Sequence, residues 1–561
     1  MGPKFSNSTP VDFLVIGAGG AGGVVAKELS TNGFQVVVLE QGPYLHEDDF
    51  VHDELKTRNL YVRPTYGEPV LTNDHRKQPN TFRRSPNETA QPQPSVLYGR
   101  VVGGGTVHFT GNYWRLHEVD FIERSRWGEI PGTGFADWPI TYADLEPYYT
   151  KAEWELGISG QAGASPWDPP RSKPYPLPPL PAKSSGILLE RAGRKLGLHP
   201  FPAPLAVLSQ PYKGRSGCKN CGFCEWFGCE WAAKSSSLAS VIPMAEETGR
   251  CEIRANSYVK RIEVDAKGRV TGAMYFDEKQ NVQFQRAKAV VVCANGSETP
   301  RLLLLSDSKL FPHGLANSNG MVGKFLMFDH GTVSRALFEH PLNDYQGVQV
   351  TRIIHDFYDA DPKRGFYGGG GIDGRFDQYP IAYALGGGLP PGTPTWGAEY
   401  KRALRDDFSR SMAIFTHTTS LPIETNSISL DPTLKDAWGQ PAIRVTYNSH
   451  PDDIKNMEFF RDKSMELFDA AGAVTKWTFP VESPKGGVHL LGTCRMGNDA
   501  KTSVVNKYNQ AHDVPNLFLV DGSSMVTSGR HQPTCTIQAL AYRAADHMTR
   551  MAKSGSIPTS V

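Results

Sequence analysis

The chain has almost no net charge and no long apolar segment, and each absence excludes a class of protein. Its 561 residues include 59 Lys and Arg against 58 Asp and Glu, a formal net charge of +1. Such a balance gives no electrostatic reason to bind nucleic acid or an anionic membrane surface. No apolar run approaches the roughly 18 residues that cross a bilayer, so we expect no transmembrane segment. The first apolar stretch, residues 13–16, runs into glycines and lacks the basic flank of a secretory signal.

Cysteine is also scarce, and its distribution does not fit a secreted disulfide framework. Of the eight cysteines, four lie between residues 218 and 229 and the others are scattered singly. This pattern indicates one local cluster plus ordinary buried thiols. Hydrophobic residues at 39% and charged residues at 21% are typical of a globular protein. The length is too great for a single hydrophobic core, so we expect two or more domains.

The first forty residues predict a strand, a glycine turn, a helix and a second strand. Residues 13–16 and 36–39 are short apolar runs of the kind found in buried parallel strands, and residues 24–29 have apolar positions at helical spacing. The chain between the first strand and the helix is Gly-Ala-Gly-Gly-Ala-Gly, residues 17–22. A glycine string in this context predicts dinucleotide binding.

Each part of this unit has a physical role. Gly17 permits the tight turn, Gly19 lets the backbone approach a pyrophosphate, and Gly22 lets the helix pack on the strand. Gly20 lies at the helix amino terminus, whose N–H groups and dipole favour phosphates. Glu40, 23 residues after Gly17, is placed to accept hydrogen bonds from ribose hydroxyls. A carboxylate there disfavours NADP, but the motif does not decide between NAD and FAD.

Further motifs follow along the rest of the chain. They are YGRVVGGGTVHFTGN (98–112), DWPITY (137–142), VVVCANGSETPRLLLL (290–305), NSNGMVGKFLMFDH (317–330) and the block 489–545. In this order they resemble the glucose–methanol–choline (GMC) oxidoreductases, a family of FAD enzymes. The resemblance covers nearly the whole chain and implies FAD as the dinucleotide.

The resemblance also implies the fold class and the domains. We expect an α/β protein with a doubly wound, Rossmann-like FAD domain and an α+β substrate domain built on an antiparallel sheet. The FAD domain is placed at residues 8–330, the substrate domain at 331–484, and a return to the FAD domain at 485–555. The apolar runs 289–295 and 517–520 agree, because each leads into glycine or an acid, where parallel sheets contact ligands.

Several FAD contacts are implied by the same resemblance. Asp521 and Gly522 would meet the phosphate–ribityl region, and the backbone of Val259 would meet the adenine. Other expected cofactor-binding residues are Arg100, Gly104, His108, Thr110, Asn112 and Thr534. In some relatives a histidine of the glycine-rich segment is bonded covalently to the flavin. His108 lies in a similar register, so a covalent bond and a packing or hydrogen-bonding role both remain open.

The cysteine cluster consists of Cys218, Cys221, Cys224 and Cys229. Thiolates are soft ligands that suit iron–sulfur clusters or zinc. Structural zinc usually takes two CxxC knuckles separated by a long loop, whereas ferredoxin-type runs hold a cluster from closely spaced cysteines. We therefore favour an iron–sulfur cluster held by these four residues over zinc or a redox or structural cysteine knot.

The cluster resembles one branch of the family, the large subunits of bacterial gluconate, fructose and glycoside dehydrogenases. That resemblance favours a [3Fe-4S] over a [4Fe-4S] cluster. It also implies a small partner subunit that carries an export signal, and a cytochrome c or other one-electron acceptor. A periplasmic location through that partner is expected, with a cytoplasmic location as the alternative.

The segment from His489 to Thr493 resembles the family's HxxGT motif, whose histidine faces the flavin. An alcohol needs a base for its hydroxyl proton while hydride leaves carbon, and a neutral histidine serves at pH 7. The family's second partner is a histidine or asparagine followed by proline, but Gln532 stands at that position here. We assign Gln532 a positioning role and keep the adjacent His531 as its substitute.

The sequence thus predicts a dehydrogenase with an external electron acceptor. It would oxidise an alcohol group of a sugar, glycoside or sugar acid by hydride transfer to FAD, and the electrons would leave through the iron–sulfur cluster. The alternative is a GMC-type oxidase that uses oxygen and binds a structural zinc with its cysteines. No residue between 331 and 484 decides which alcohol is the substrate.

Overall fold

A seven-stranded sheet forms the centre of the first domain in the computed structural model, which describes residues 4–57 and 71–557. Six of its strands follow in the order Cys251–Arg254, Val36–Leu39, Val11–Ile16, Val282–Val292, Val270–Phe276 and Tyr258–Val264. The seventh strand, Leu517–Leu519, also pairs with Val282–Val292. The first four strands and Leu517–Leu519 pair in parallel, and the last two pairings are antiparallel. Phe13, Leu14 and Val15 are at most 1% exposed, as expected for a strand covered on both faces.

Helices cover this sheet and bring the end of the chain back to its beginning. Gly20–Thr31 packs against Thr534–Lys553, which in turn packs against Tyr142–Leu156. The last of these helices begins with a capping box, in which Thr141 and Asp144 bond each other's backbone N–H groups. The arrangement confirms the doubly wound, Rossmann-like domain.

A six-stranded antiparallel sheet forms the second domain. Its order is Thr475–Thr478, Val333–Leu337, Ser411–Thr418, Gly370–Arg375, Val350–Ile354, Phe201–Pro202. The helices Ser184–Lys195 and Pro451–Ala471 pack on one face, where Leu189, Ile414 and Phe460 share a core. The expected antiparallel sheet with helices is therefore confirmed.

A third, four-stranded sheet joins distant parts of the chain. Its order is Ser427–Lys435, Pro441–Thr446, Asn80–Arg83, Gln91–Pro92, and the pairing of Asn80–Arg83 with Pro441–Thr446 is parallel. This sheet crosses the boundary we place at residue 331, so the division into 8–330, 331–484 and 485–555 remains a prediction. Its inner face packs with Phe328 and Leu490, beside the segments that carry the predicted base.

The other α-helices of the described residues are 3 to 11 residues long. They are Glu54–Thr57, Glu123–Trp127, Val241–Glu247, Asn295–Leu305, Pro380–Ala382 and Gly397–Asp407. Within residues 4–57 and 71–557, none of the helices combines the length and apolar character that a bilayer crossing requires.

Candidate active site

A cavity of about 550 Å³ lies between the two large sheets. One wall is formed where parallel strands end, at Ile16, Leu39, Cys293 and Asp521. The carboxyl ends of parallel strands are where α/β sheets bind ligands. The opposite wall comes from the antiparallel sheet and includes residues 415–417.

The glycine turn shapes the first wall. Gly17 has a φ of +97°, which favours glycine, and a Cβ there would lie 2.4 Å from the carbonyl oxygen of Cys293. A Cβ on Gly22 would lie 1.9 Å from the carbonyl oxygen of Gly17, so the helix packs on the turn only without a side chain. Gly104 has a φ of +55°, and a Cβ on it would lie 2.7 Å from the Cα of Gly19. The two glycine segments therefore touch backbone to backbone.

Glu40 supports the same turn. Its carboxylate accepts hydrogen bonds from the backbone N–H groups of Ala18 and Gly42, each at 2.9 Å. Burial raises the pKa of Glu40, although these two donors act in the opposite direction. Each carboxylate oxygen keeps a second lone pair, so Glu40 can brace the turn and still accept a bond from a ribose hydroxyl.

The residues present fit an FAD molecule. The glycine backbones form a cradle that any Cβ would fill, and the helix Gly20–Thr31 points its amino terminus at the cavity. Most predicted cofactor-binding residues line the cavity: Gly17, Gly19, Gly20, Glu40, Gly104, His108, Thr110, Val259, Asp521, Gly522 and Thr534.

Three of the predicted cofactor-binding residues lie outside the set that lines the cavity. Gly22 packs behind the turn, and the Arg100 backbone packs against Gly42. Asn112 is 1% exposed, and in the described structure neither its amide oxygen nor its amide nitrogen has a partner. Direct contacts of these three residues with FAD therefore remain predictions.

His489 lines the cavity and is oriented by Asp329. The two residues are brought side by side because Met327 and Leu491 exchange backbone hydrogen bonds of 3.0 and 3.1 Å. Nδ1 of His489 lies 2.9 Å from Oδ2 of Asp329, whose side chain is only 2% exposed. A carboxylate at Nδ1 favours the tautomer with the proton there, which leaves Nε2 as a proton acceptor. The sequence predicted His489 but missed Asp329, which only the tertiary contact reveals.

Gln532 also lines the cavity, and it meets a histidine that the motifs did not indicate. Its side-chain nitrogen lies 2.9 Å from Nε2 and 3.0 Å from Nδ1 of His417, on the strand Ser411–Thr418. Nε2 of His417 lies 2.8 Å from Oδ2 of Asp373, which is also bonded by Arg375. A lone histidine within a strand has no sequence signal that separates a site residue from a core residue.

His531 is not brought to the cavity. Its ring is fully buried, and Nε2 lies 2.9 Å from the carbonyl oxygen of Arg115. It stacks on His355 at 5.8 Å between ring centroids. Burial lowers the pKa of His531, which keeps the ring neutral. The structure therefore does not support His531 as a substitute for Gln532.

Replacing His531 with leucine should destabilise the fold without slowing chemistry. The carbonyl oxygen of Arg115 would lose its donor in a buried site, at a cost of about 1–3 kcal/mol in the free energy of unfolding. Thermal denaturation and the rate of flavin reduction by an alcohol would be measured together. If the rate of flavin reduction fell as much as it does in His489→Ala, His531 would have to be assigned a role in the active site.

The cysteine loop adjoins the same cavity. Glu225 and Trp226, between the third and fourth cysteines, line it, and the backbone N–H of Trp226 donates to the carbonyl oxygen of His108 at 2.8 Å. The buried Nζ of Lys234 donates to the carbonyl oxygens of Val107, Cys224 and Phe227 at 3.2, 2.5 and 2.8 Å. The ammonium group of Lys234 therefore links the cysteine loop by hydrogen bonds to the second glycine-rich segment, residues 98–112.

The four thiols share one electrostatic environment. Burial and the other three cysteines of the loop together raise the pKa of Cys224 to about 12, although the charge of Lys234 acts in the opposite direction. The same mutual effect acts on Cys218, whose pKa is raised mainly by burial. Among residues 4–57 and 71–557, no three His, Cys, Asp or Glu side chains converge as the ligands of one metal ion. The four thiols are the residue type that suits an iron–sulfur cluster, but their side chains do not converge in the described structure, so the cluster remains a prediction.

His108 lies at the junction between the loop and the cavity. It is 8% exposed, and its ring stacks near Trp226 with centroids 6.0 Å apart. Burial, aided by the charge of Lys234, lowers the pKa of His108 to about 3. A neutral imidazole facing the cavity is compatible with either role that the sequence left open.

Comparisons with known proteins identify the family. Two family models described as GMC oxidoreductase match residues 183–342 and 422–541. The chain is 35% identical to a 2-methyl-1,2-propanediol dehydrogenase of Mycolicibacterium austroafricanum, over 97% of this chain and 96% of that protein. It is 30% identical to a gluconate 2-dehydrogenase flavoprotein of Pantoea cypripedii, over 95% and 93% of the two chains. The protein belongs to the GMC oxidoreductase family and is an FAD-dependent oxidoreductase.

Two further matches agree with this assignment. A fructose dehydrogenase large subunit of Gluconobacter japonicus is 30% identical over 98% of this chain and 100% of that protein. A formate oxidase variant from Aspergillus oryzae has the same fold, with a TM-score of 0.65 at 16% identity over 99% and 100% of the two chains. The resemblance that the sequence motifs indicated is confirmed.

Proposed function

We propose that the protein is a dehydrogenase that oxidises an alcohol group of a sugar-like or polyol substrate and passes the electrons to a one-electron acceptor. One observation carries this proposal: a single cavity joins the glycine cradle, the Asp329-oriented imidazole of His489 and the cysteine loop. The names of the relatives, which include dehydrogenases of a diol, gluconate and fructose, support the substrate class.

His489 would act as the base. Bound FAD supplies the acceptor for the hydride that leaves the substrate carbon. Nε2 of His489 takes the hydroxyl proton, while Asp329 at Nδ1 stabilises the imidazolium ion that forms. Gln532, which lines the same cavity, holds the substrate, since an amide can donate a hydrogen bond but cannot relay a proton.

The cysteine loop would provide the electron exit. An iron–sulfur centre accepts one electron at a time, and we propose a [3Fe-4S] rather than a [4Fe-4S] cluster on the loop 218–229. Two observations support this position: Trp226, a residue of the loop itself, lines the cavity, and Lys234 places a positive charge beside the Cys224 thiol. Such a charge offsets the negative charge of a thiolate-bound cluster.

A partner and a location outside the cytoplasm also belong to the proposal. The relative from Gluconobacter japonicus is described as a large subunit, which supports a small partner subunit for this chain. We propose that this subunit carries the export signal to the periplasm, and that a cytochrome c or similar carrier receives the electrons. Co-purification from cells expressing the neighbouring genes, followed by mass spectrometry of periplasmic fractions, tests both.

The electron route is tested by changing one cysteine of the loop. Cys224→Ser should abolish bound iron and cytochrome c reduction, because one iron loses its thiolate, whereas the alcohol should still reduce the flavin. Metal analysis, low-temperature EPR and rapid-mixing absorbance are the measurements. Cys251→Ser is the matched control, because Cys251 is also buried but lies in a strand of the first sheet.

The alternative oxidase predicts a different set of results. The wild-type protein would contain zinc in place of iron, and it would form one peroxide for each alcohol oxidised. Either finding would overturn the proposed electron route and leave the family assignment intact.

Acid denaturation of the same preparation tests whether His108 is bonded covalently to the flavin, since a covalently bound flavin stays with the precipitated protein.

A further inference from the structure

A second histidine–aspartate pair faces the cavity from the antiparallel sheet. Asp373 is fully buried and lies 2.8 Å from Nε2 of His417. Burial opposes ionisation of Asp373, but Arg375 and His417 lower its pKa, so it is a carboxylate. A carboxylate accepts only, so Nε2 of His417 carries the proton and Nδ1 is left as an acceptor. This orientation by a buried carboxylate parallels that of His489 by Asp329.

Gln532 contacts the face of His417, not its lone pair. Its amide nitrogen is nearly equidistant from the two ring nitrogens, at 2.9 and 3.0 Å. A donor so placed cannot lie in line with the lone pair of Nδ1, which points outward in the ring plane. His417 therefore still presents an acceptor to a ligand.

Two more acceptors on these walls have no donor in the described structure. They are Oε1 of Gln532, a residue that is 8% exposed, and the buried Oδ1 of Asp329. Both residues line the cavity, as does His417. Buried acceptors without donors are unfavourable, so a ligand that supplies several O–H groups would satisfy them.

We propose that the substrate is a neutral diol or polyol, whose second hydroxyl group is bound by His417 and Gln532 beside the one that His489 deprotonates. This inference rests on the proposed alcohol oxidation. His417 accepts the O–H of the second hydroxyl at Nδ1, and the Asp373 carboxylate at Nε2 fixes the tautomer of the neutral ring that leaves a lone pair on Nδ1.

A sugar acid fits this wall less well. A carboxylate would place further acceptors against Nδ1 of His417, Oε1 of Gln532 and Oδ1 of Asp329, which are themselves acceptors. The cation on the wall, Arg375, already donates to both oxygens of Asp373 and lies over the ring of Phe415 at 4.0 Å. The charge of Arg375 is thus neutralised within the protein.

A matched pair of probes tests the second hydroxyl. 2-methyl-1,2-propanediol and 2-methyl-1-propanol share the oxidised CH₂OH group and differ by one hydroxyl. We expect the FAD-loaded wild-type enzyme to favour the diol roughly 10- to 100-fold in kcat/KM. The mono-alcohol cannot form the hydrogen bond to His417, and the loss of one such bond has an effect of about this size. 1,2-propanediol and 1-propanol form a second pair, and gluconate provides the acidic comparison.

His417→Phe should collapse the diol preference, because the ring keeps its shape but loses the acceptor. His417→Gln, which retains a side-chain acceptor, should restore part of it. A merely structural role would lower kcat/KM for both members of a pair equally and leave their ratio unchanged. His355→Phe is the matched control, since His355 is a buried histidine outside the cavity lining, and it should keep the wild-type ratio.

The outcomes separate this inference from the proposed function. Equal kcat/KM for diol and mono-alcohol in the wild type would overturn the inference, as would an unchanged ratio in His417→Phe or a preference for gluconate. Flavin that no alcohol in the panel reduces would instead refute alcohol oxidation itself.

Discussion

Replacing His489 with alanine is expected to lower the rate at which an alcohol reduces the bound flavin by about 10²- to 10⁴-fold, the usual contribution of a positioned general base. His489 is the cavity-lining histidine whose Nδ1 is hydrogen-bonded to Asp329, and this bond leaves Nε2 available as the base. FAD should remain bound, because the substitution leaves the glycine cradle and Glu40 unchanged. Rapid-mixing absorbance of the flavin under anaerobic conditions measures the effect without relying on the electron acceptor.

Asp329→Asn provides the graded comparison. An amide at that position can still contact Nδ1 of His489 but no longer stabilises an imidazolium ion, so a smaller loss of rate is expected. An unchanged flavin spectrum in both variants would show that the site is assembled. If His489→Ala reduced its flavin at the wild-type rate, the base would have to be sought among the other cavity residues, beginning with His417.

Gly22→Ala should yield a protein that purifies without FAD. The added Cβ would lie 1.9 Å from the carbonyl oxygen of Gly17, and backbone atoms cannot rotate away as a side chain can. The helix must then move off the turn, which removes the N–H groups that face the phosphates. Overpacking of this kind costs about 1–3 kcal/mol or more in stability. The ratio of flavin to protein absorbance and thermal denaturation measure both effects.

Gly20→Ala is the control in the same turn. There the nearest atom to an added Cβ is a methyl carbon of Thr106, at 3.2 Å, and this side chain can shift. We expect Gly20→Ala to retain substantially more FAD than Gly22→Ala. Equal FAD content in the two variants would contradict the packing role assigned to Gly22.

The local motifs predicted the parts of the site that depend on short stretches of chain. The glycine turn and Glu40 follow from one strand–turn–helix unit, and His489 follows from a motif of five residues. Asp329 and His417 could not be predicted in the same way, because each reaches the cavity through pairing between distant strands. The neighbours Gln532 and His531 show the limit most clearly: the motif placed Gln532 at the partner position and left His531 as its substitute, and only the fold shows that Gln532 lines the cavity while His531 lies in the core.

The four-stranded sheet could not be anticipated for the same reason. Its inner pair joins Arg83 to Thr446, two residues 363 positions apart, through a hydrogen bond between their side chains. Hydrophobic alternation marks each strand but does not identify its partner. Parallel pairing at such separation is set by the packing of the whole molecule.

That long-range pairing has a consequence for biosynthesis. Residues 80–83 leave the ribosome long before residues 441–446 exist, so one edge of the strand Asn80–Arg83 lacks its partner through most of translation. Exposed strand edges of this kind promote aggregation, and non-local pairing is slow to form. The four-stranded sheet can therefore be completed only after the carboxyl-terminal third of the chain has been made.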